Sequence, residues 1–329
     1  MKKILSLILS VLMIFSLVAC GAESTETPDA ATLKFGSAVY VDAPKASDAT
    51  AEKNGEGSVD VTVAAVTVDA DGKIVACRFD TMQSTVAYTT DGKAVGSPEA
   101  KTKRELGKDY GMVAYAGAKL EWFEQANALE KLVAGKTLDE VKALIAEGGK
   151  GTDAVINAGC TITIDSYIGA IEKAYNAAAE STVTADATLK VTAYTVQSLT
   201  DATADKAGEN KVEVYTYAAA VDAAGKVIAG NSDCVQVAFT FDTAGKSTFD
   251  VSKAILSKKE QGKDYGMVAH AGAKLEWFEQ VAAFDKLCVG KTGAEIKALM
   301  SNDGKGNEDV VNAGCTIYVS GLVAAASKI

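Results

Sequence analysis

A duplication constrains this chain more than anything else in it. Residues Gly107–Gln125 read GKDYGMVAYAGAKLEWFEQ and Gly262–Gln280 read GKDYGMVAHAGAKLEWFEQ, differing only where Tyr115 faces His270. The same offset of 155 carries Ala158-Gly159-Cys160-Thr161-Ile162 onto Ala313-Gly314-Cys315-Thr316-Ile317. Upstream, Asp48-Ala49-Thr50-Ala51 matches Asp201-Ala202-Thr203-Ala204 at an offset of 153, so small indels separate the anchors. A period of roughly 150 residues is too long for a solenoid unit and matches a whole domain. Two homologous domains in tandem are expected, with one fold and one function between them.

Each copy reads as strands followed by helices. Ser58–Val68 alternates, turns at Asp69-Ala70-Asp71-Gly72-Lys73 and resumes at Ile74–Phe79, the pattern of a hairpin. Val212–Val221, Ala224-Gly225-Lys226 and Val227 onward repeat it, and further strand runs lie at Thr85–Thr90 and Val237–Phe241. Ala118–Ala134 then carries apolar residues at helical spacing and stops at Gly135, a natural C-cap. Thr137-Leu138-Asp139-Glu140 and Thr292-Gly293-Ala294-Glu295 are capping boxes, and a last helix starts near Asp165 and near Ser320. The expected class is α+β, each domain an antiparallel sheet followed by helices. The boundaries are 46–179 and 187–329, joined by the Ala-, Ser- and Thr-rich Asn176–Asp186.

The start of the chain reads as an export signal over residues 1–19. Lys2 and Lys3 precede the apolar run Ile4–Val18, which is short of the ~20 residues a membrane span needs. Leu17-Val18-Ala19-Cys20 resembles the lipobox of bacterial lipoproteins, which implies lipidation of Cys20. Residues 20–45, polar and small at their start, are expected to form a flexible tether. Removing Lys2 and Lys3 from 33 basic residues leaves 31 against 43 acidic, with no basic cluster, which argues against a nucleic-acid partner. Apart from Cys20, only Cys160 and Cys315 among the cysteines occupy equivalent positions, so no inherited disulfide is expected.

Several chemistries are excluded. His270 is the one histidine and its counterpart is Tyr115, so no mechanism common to both copies uses imidazole. No Cys-x-x-Cys or His-x-x-x-His spacing suggests a metal. Gly135-Lys136-Thr137 and Gly290-Lys291-Thr292 look like the end of a phosphate loop, but lack its upstream glycine and follow a helix rather than a strand. A C-cap glycine followed by an N-cap threonine explains both.

The segment containing Thr161 and Thr316 places a hydroxyl among small residues just before a helix N-terminus, where backbone N–H groups favour a phosphate. A tight turn with a structural threonine is the alternative. This segment, the KDYGM and KLEWFEQ blocks and the hairpin opening resemble the FMN-binding domain family. The branch in question comprises two-domain flavinylated lipoproteins of Gram-positive bacteria that serve extracellular electron transfer. The resemblance implies a flavin transferase that links FMN to Thr161 and Thr316 by phosphodiesters, two per chain. Gly159, Gly314, Cys160 and Cys315 would flank the attachment points. Tyr110, Met112, Trp122, Tyr265, Met267 and Trp277 would offer flat or polarizable surfaces to the isoalloxazine. It further implies a carrier, not an enzyme in the strict sense, anchored by lipid to the outer face of the cell membrane. Electrons would pass from a membrane quinol or NADH oxidoreductase to extracellular acceptors. A non-redox surface lipoprotein that binds a small ligand or cell-wall component is the other reading.

Overall fold

A computed structural model describes residues 31–97 and 99–329. The expected signal segment 1–19, Cys20 and the first part of the expected 20–45 tether lie outside the described residues. Among the described residues, no helix is long and apolar enough to cross a membrane.

The first copy opens with β1 (Leu33–Val41), β2 (Lys45–Ser47), β3 (Gly55–Val68), β4 (Ile74–Tyr88) and β5 (Ala94–Val95). Six helices follow: α1 (Lys103–Leu106), α2 (Met112–Ala116), α3 (Trp122–Val133), α4 (Leu138–Lys142), α5 (Asp153–Asn157) and α6 (Asp165–Asn176). After β6 (Ala179–Val183), the second copy runs through β7 (Thr188–Thr200), β8 (Gly208–Val221) and β9 (Val227–Phe241). It then repeats the helices as α7 (Lys258–Gln261), α8 (Met267–Ala271), α9 (Trp277–Cys288), α10 (Gly293–Lys297), α11 (Glu308–Asn312) and α12 (Ser320–Ala326). All strand pairs are antiparallel, in the order β5-β4-β3-β1-β6 (with β2 beside β3) and β7-β8-β9. Two tandem α+β repeats are therefore present. The runs at Thr85–Thr90 and Val237–Phe241 are the distal ends of the long strands β4 and β9, not separate strands.

The expected tether extends too far. β1 lies inside 20–45, between β3 and β6, and buries Leu33 and Val39, so the first repeat begins at Leu33 rather than at residue 46. Gly36 is part of the reason the strand belongs there. A Cβ at that position would sit 2.1 Å from the Ala174 carbonyl oxygen, so α6 rests directly on the β1 backbone. The joining segment is also more ordered than its composition suggests, because β6 pairs with β1 and buries Val183.

Strand alternation sends alternate residues into two different cores. On β3, Ala64, Val66 and Val68 face the repeat's own helices, together with Phe79, Leu129 and Ile168. Val59, Val61, Val63 and Ala65 face the other way and pack against Val212, Val214, Ala218 and Ala220 of β8. On β8, Tyr217, Ala219 and Val221 turn toward the second repeat's helices. The layers are helix, sheet, sheet, helix, and the middle core belongs to both repeats.

The contacts between repeats come in pairs related by the sequence offset. Ala49 N donates to Gly245 O and Ala202 N to Gly92 O, both at 2.8 Å. Asp48 accepts from Ser247 N at 2.8 Å, and its counterpart Asp201 accepts from Ala94 N at 2.9 Å. Lys173 pairs with Glu260 at 2.5 Å, and Lys328 with Glu105 at 2.7 Å. The equivalent rings of Tyr88 and Phe241 stack on each other at 4.4 Å, as residues near a two-fold axis do. The repeats associate like the subunits of an isologous dimer, within one chain.

Candidate functional site

Helix α3 organises the site. Its inner face buries Trp122, Gln125, Ala126, Leu129, Glu130 and Val133 at helical spacing. At its start, the Glu124 carboxylate accepts the Glu121 N–H at 2.8 Å, closing the first turn. Glu121 in turn reaches out and accepts the Met112 N–H at 3.0 Å, which fastens the N-terminus of α2. In the second copy, Glu276 accepts from Met267 N at 2.9 Å.

The threonine segment begins at the C-terminus of α5. Gly159 N donates to Ile156 O and Cys160 N to Val155 O, at 3.0 and 3.1 Å, the two bonds of a Schellman motif. Gly159 supplies the required positive φ of 102°, and Gly314 does the same at 103°. Cys160 and Cys315 close the motif as buried apolar residues, and burial pushes both thiols up to about 11. They are protonated packing groups at neutral pH.

Thr161 and Thr316 come next, and both are exposed. Each is held from below by a buried glutamine. Gln125, 1 % exposed, accepts the Thr161 N–H at 2.8 Å and the Thr161 hydroxyl at 3.1 Å on the same Oε1. Its Nε2 donates to Leu120 O at 3.0 Å, which sets the orientation of the amide. Gln280 repeats all three bonds, accepting from Thr316 N at 2.9 Å and Oγ1 at 3.0 Å and donating to Leu275 O at 3.0 Å. Beside the first turn lies a shallow cavity of about 530 Å³ bounded by Leu120, Ala128, Leu132 and Ala158, with Glu124 and Lys131 at its rim.

The expected ring surfaces differ in accessibility, Tyr110 and Tyr265 being half-buried and the two tryptophans buried. Trp122 is 1 % exposed and Trp277 4 %, both in the cores, and the Trp122 indole N–H donates to Tyr167 OH at 2.9 Å. The rings of Tyr110, Trp122 and Tyr167 instead surround the protein's own Lys103 ammonium, at 5.2, 5.4 and 5.9 Å. Tyr265 and Trp277 flank Lys258 in the same way, at 5.0 and 5.5 Å. Met112 and Met267 are half-buried against the helical cores. On α2 the exposed ring is Tyr115, 89 % accessible and packed over Gly111, with His270 of α8 over Gly266 in the second copy.

The two surroundings differ in charge. In the first repeat, Thr163 opens onto a polar cavity of about 550 Å³ with Asp42, Asp60, Asp165, Gln83 and Ser166. Burial, then Asp60 and Asp165, raise the Asp42 carboxyl above its usual range. Burial lowers Lys103, which has no ion pair among the described residues, whereas Lys258 bonds Glu213 at 2.8 Å.

Sequence reasoning missed Gln125, Gln280, Glu121, Glu276, Lys103 and Lys258. The signal for the first four was present, because all stand in the block that the two copies share almost unchanged.

No protein-family model matches the chain, and no solved structure matches it. A protein named chlorophenol reductase from Desulfitobacterium hafniense is 32 % identical over 109 residues, covering 29 % of this chain. The match spans about a third of that protein's length, 33 %.

Proposed function

We propose that this protein is a lipid-anchored extracellular electron carrier holding one FMN on Thr161 and one on Thr316, each through a phosphodiester to the side-chain oxygen. The observation that carries this reading is the recurrence of an exposed threonine whose N–H and hydroxyl both donate to a buried glutamine, which itself donates to a leucine carbonyl. Exposure leaves each hydroxyl within reach of a separate transferase, and the glutamine fixes where it points. The largely apolar cavity between Leu120 and Ala158 adjoins the first anchor and suits a flat, amphipathic group. When bound, the isoalloxazine supplies the reversible electron chemistry, and the protein supplies anchorage and surroundings. Trp122 and Trp277 have no part in ring contact on this reading, since their faces are buried. The partial likeness to a protein named as a reductase points toward redox work as well.

Lipidation of Cys20 would keep the carrier at the outer membrane face, between a membrane quinol or NADH oxidoreductase and extracellular acceptors. Intact mass after co-expression with a flavin transferase tests the reading. The mass should rise by two FMN-phosphodiester units, and Thr161→Ala and Thr316→Ala should each remove one. A protein that stays unmodified beside an active transferase sinks the proposal and favours a non-redox binding module.

A further inference from the structure

We infer that Gln125 and Gln280 are positioning residues for flavin attachment, each holding the acceptor hydroxyl in one orientation for transfer; this rests on the function proposed above. Oε1 of each glutamine accepts two bonds from one threonine, and these bonds have different fates. The hydroxyl bond at 3.1 Å (Thr161) or 3.0 Å (Thr316) points the proton inward and leaves the oxygen lone pairs facing solvent. The backbone bond at 2.8 Å or 2.9 Å does not involve the reacting oxygen.

In the transfer, a Thr161 Oγ1–P bond forms to the phosphoryl group of an activated flavin donor, a phosphoanhydride. The anhydride P–O bond breaks, and the remainder of the donor leaves with the electron pair. The hydroxyl proton keeps its bond to Oε1 while a lone pair attacks, and as the Oγ1–P bond forms it turns from the amide and passes to a base of the transferase, because a neutral amide oxygen does not take up a proton near neutral pH. The ester product has no hydroxyl proton, so the Oγ1 bond is lost while the backbone bond keeps the turn in place. Restricting the hydroxyl beforehand removes rotational freedom that would otherwise be lost in the transition state. The same glutamine serves as orienter before the reaction and as brace after it.

The two-copy chain provides its own control. Gln125→Met keeps the length of the side chain and removes the acceptor, while the second site is untouched. Peptide mass spectrometry after a fixed time with the transferase should show modification at Thr161 reduced by about tenfold or more, the effect of one orienting hydrogen bond. Modification at Thr316 should stay at the wild-type level, and Gln280→Met should give the mirror result. Gln125→Glu is the conservative rescue, since it keeps an acceptor for both threonine bonds and burial favours the protonated carboxyl, whose O–H can donate to Leu120 O in place of Nε2. Its Thr161 should be modified within a few-fold of wild type. Wild-type modification of Thr161 in Gln125→Met would overturn the inference. So would an equal loss at Thr316, or a Gln125→Glu variant as poor as Gln125→Met, since either result marks a structural role. A wild-type chain modified at neither threonine fails at the underlying function instead, and is told apart by that.

Discussion

Two aspartates show how burial reshapes single residues away from the threonine site. Asp80, 2 % exposed, accepts from Thr81 N at 2.8 Å and Arg104 N at 3.1 Å. Burial raises its carboxyl to about 6, against the pull of Thr102 and Arg104. Asp233 stands in the equivalent place, accepts from Cys234 N and Lys259 N, and is raised for the same reason. A carboxyl with a raised folded pKa binds its proton more tightly in the native state than in the unfolded chain. Its contribution to stability is present below about pH 4 and is lost as pH rises toward about 6. Thermal melts should therefore show a component that falls across that window, at most about 3 kcal/mol for Asp80, with Asp233 adding in the same direction. The double variant Asp80→Asn, Asp233→Asn, which keeps the acceptor oxygens, should flatten it. An unchanged slope would assign the pH dependence to other groups.

At the scale of elements, α3 is the hinge between sequence and site. Its first turn fastens α2 through Glu121, its second holds Thr161 through Gln125, and its inner face fills the core. Glu121 is 6 % exposed, so its loss leaves the Met112 N–H without its partner. Glu121→Ala should cost about 1–2 kcal/mol, the usual range for a cap that also satisfies a neighbouring donor. Hydrogen exchange should quicken at Met112 and Val113 while the amides of the α3 interior keep their protection. Exchange that rose equally along α3 would show instead that the whole helix depends on this residue. The capping boxes at Thr137 and Thr292 could be read from the sequence because their signal is local, and both form with their Glu partners at N3. The tie from Glu121 to Met112 has no such signature. It depends on a loop folding back over a helix start.

For the whole molecule, the shared middle core matters most. Val61, Val63, Val212 and Val214 leave water only when both sheets are present, so neither repeat completes its burial alone. The paired contacts at Asp48 and Asp201, and at Lys173 and Lys328, add matching polar closures on both sides of the axis. Calorimetry should record a single cooperative transition over residues 31–329 rather than one for each repeat. Two resolved transitions would mean that the sheet–sheet contact contributes little. The threonine sites belong to the two outer helical layers. With layers about 10 Å apart, Thr161 and Thr316 are separated across the layers by a distance on the order of 30 Å. The repeats are not identical in charge, with an acidic cavity beside Thr163 in the first and an ion-paired Lys258 in the second.

The sequence alone determined the duplication, the α+β class and the strand–helix order, because periodicity, turns and caps are written within a few residues of one another. It also marked the threonines, since two copies preserve the same short segment. It did not reveal the place of β1 and β6, whose membership in the sheet comes from partners far along the chain. Nor did it show which rings were free, because a tryptophan in a helix reads the same whether it meets a ligand or a buried lysine. The contact of Gln125 with Thr161 joins positions 36 residues apart through one side-chain amide, and only the packed tertiary structure brings them within hydrogen-bond distance.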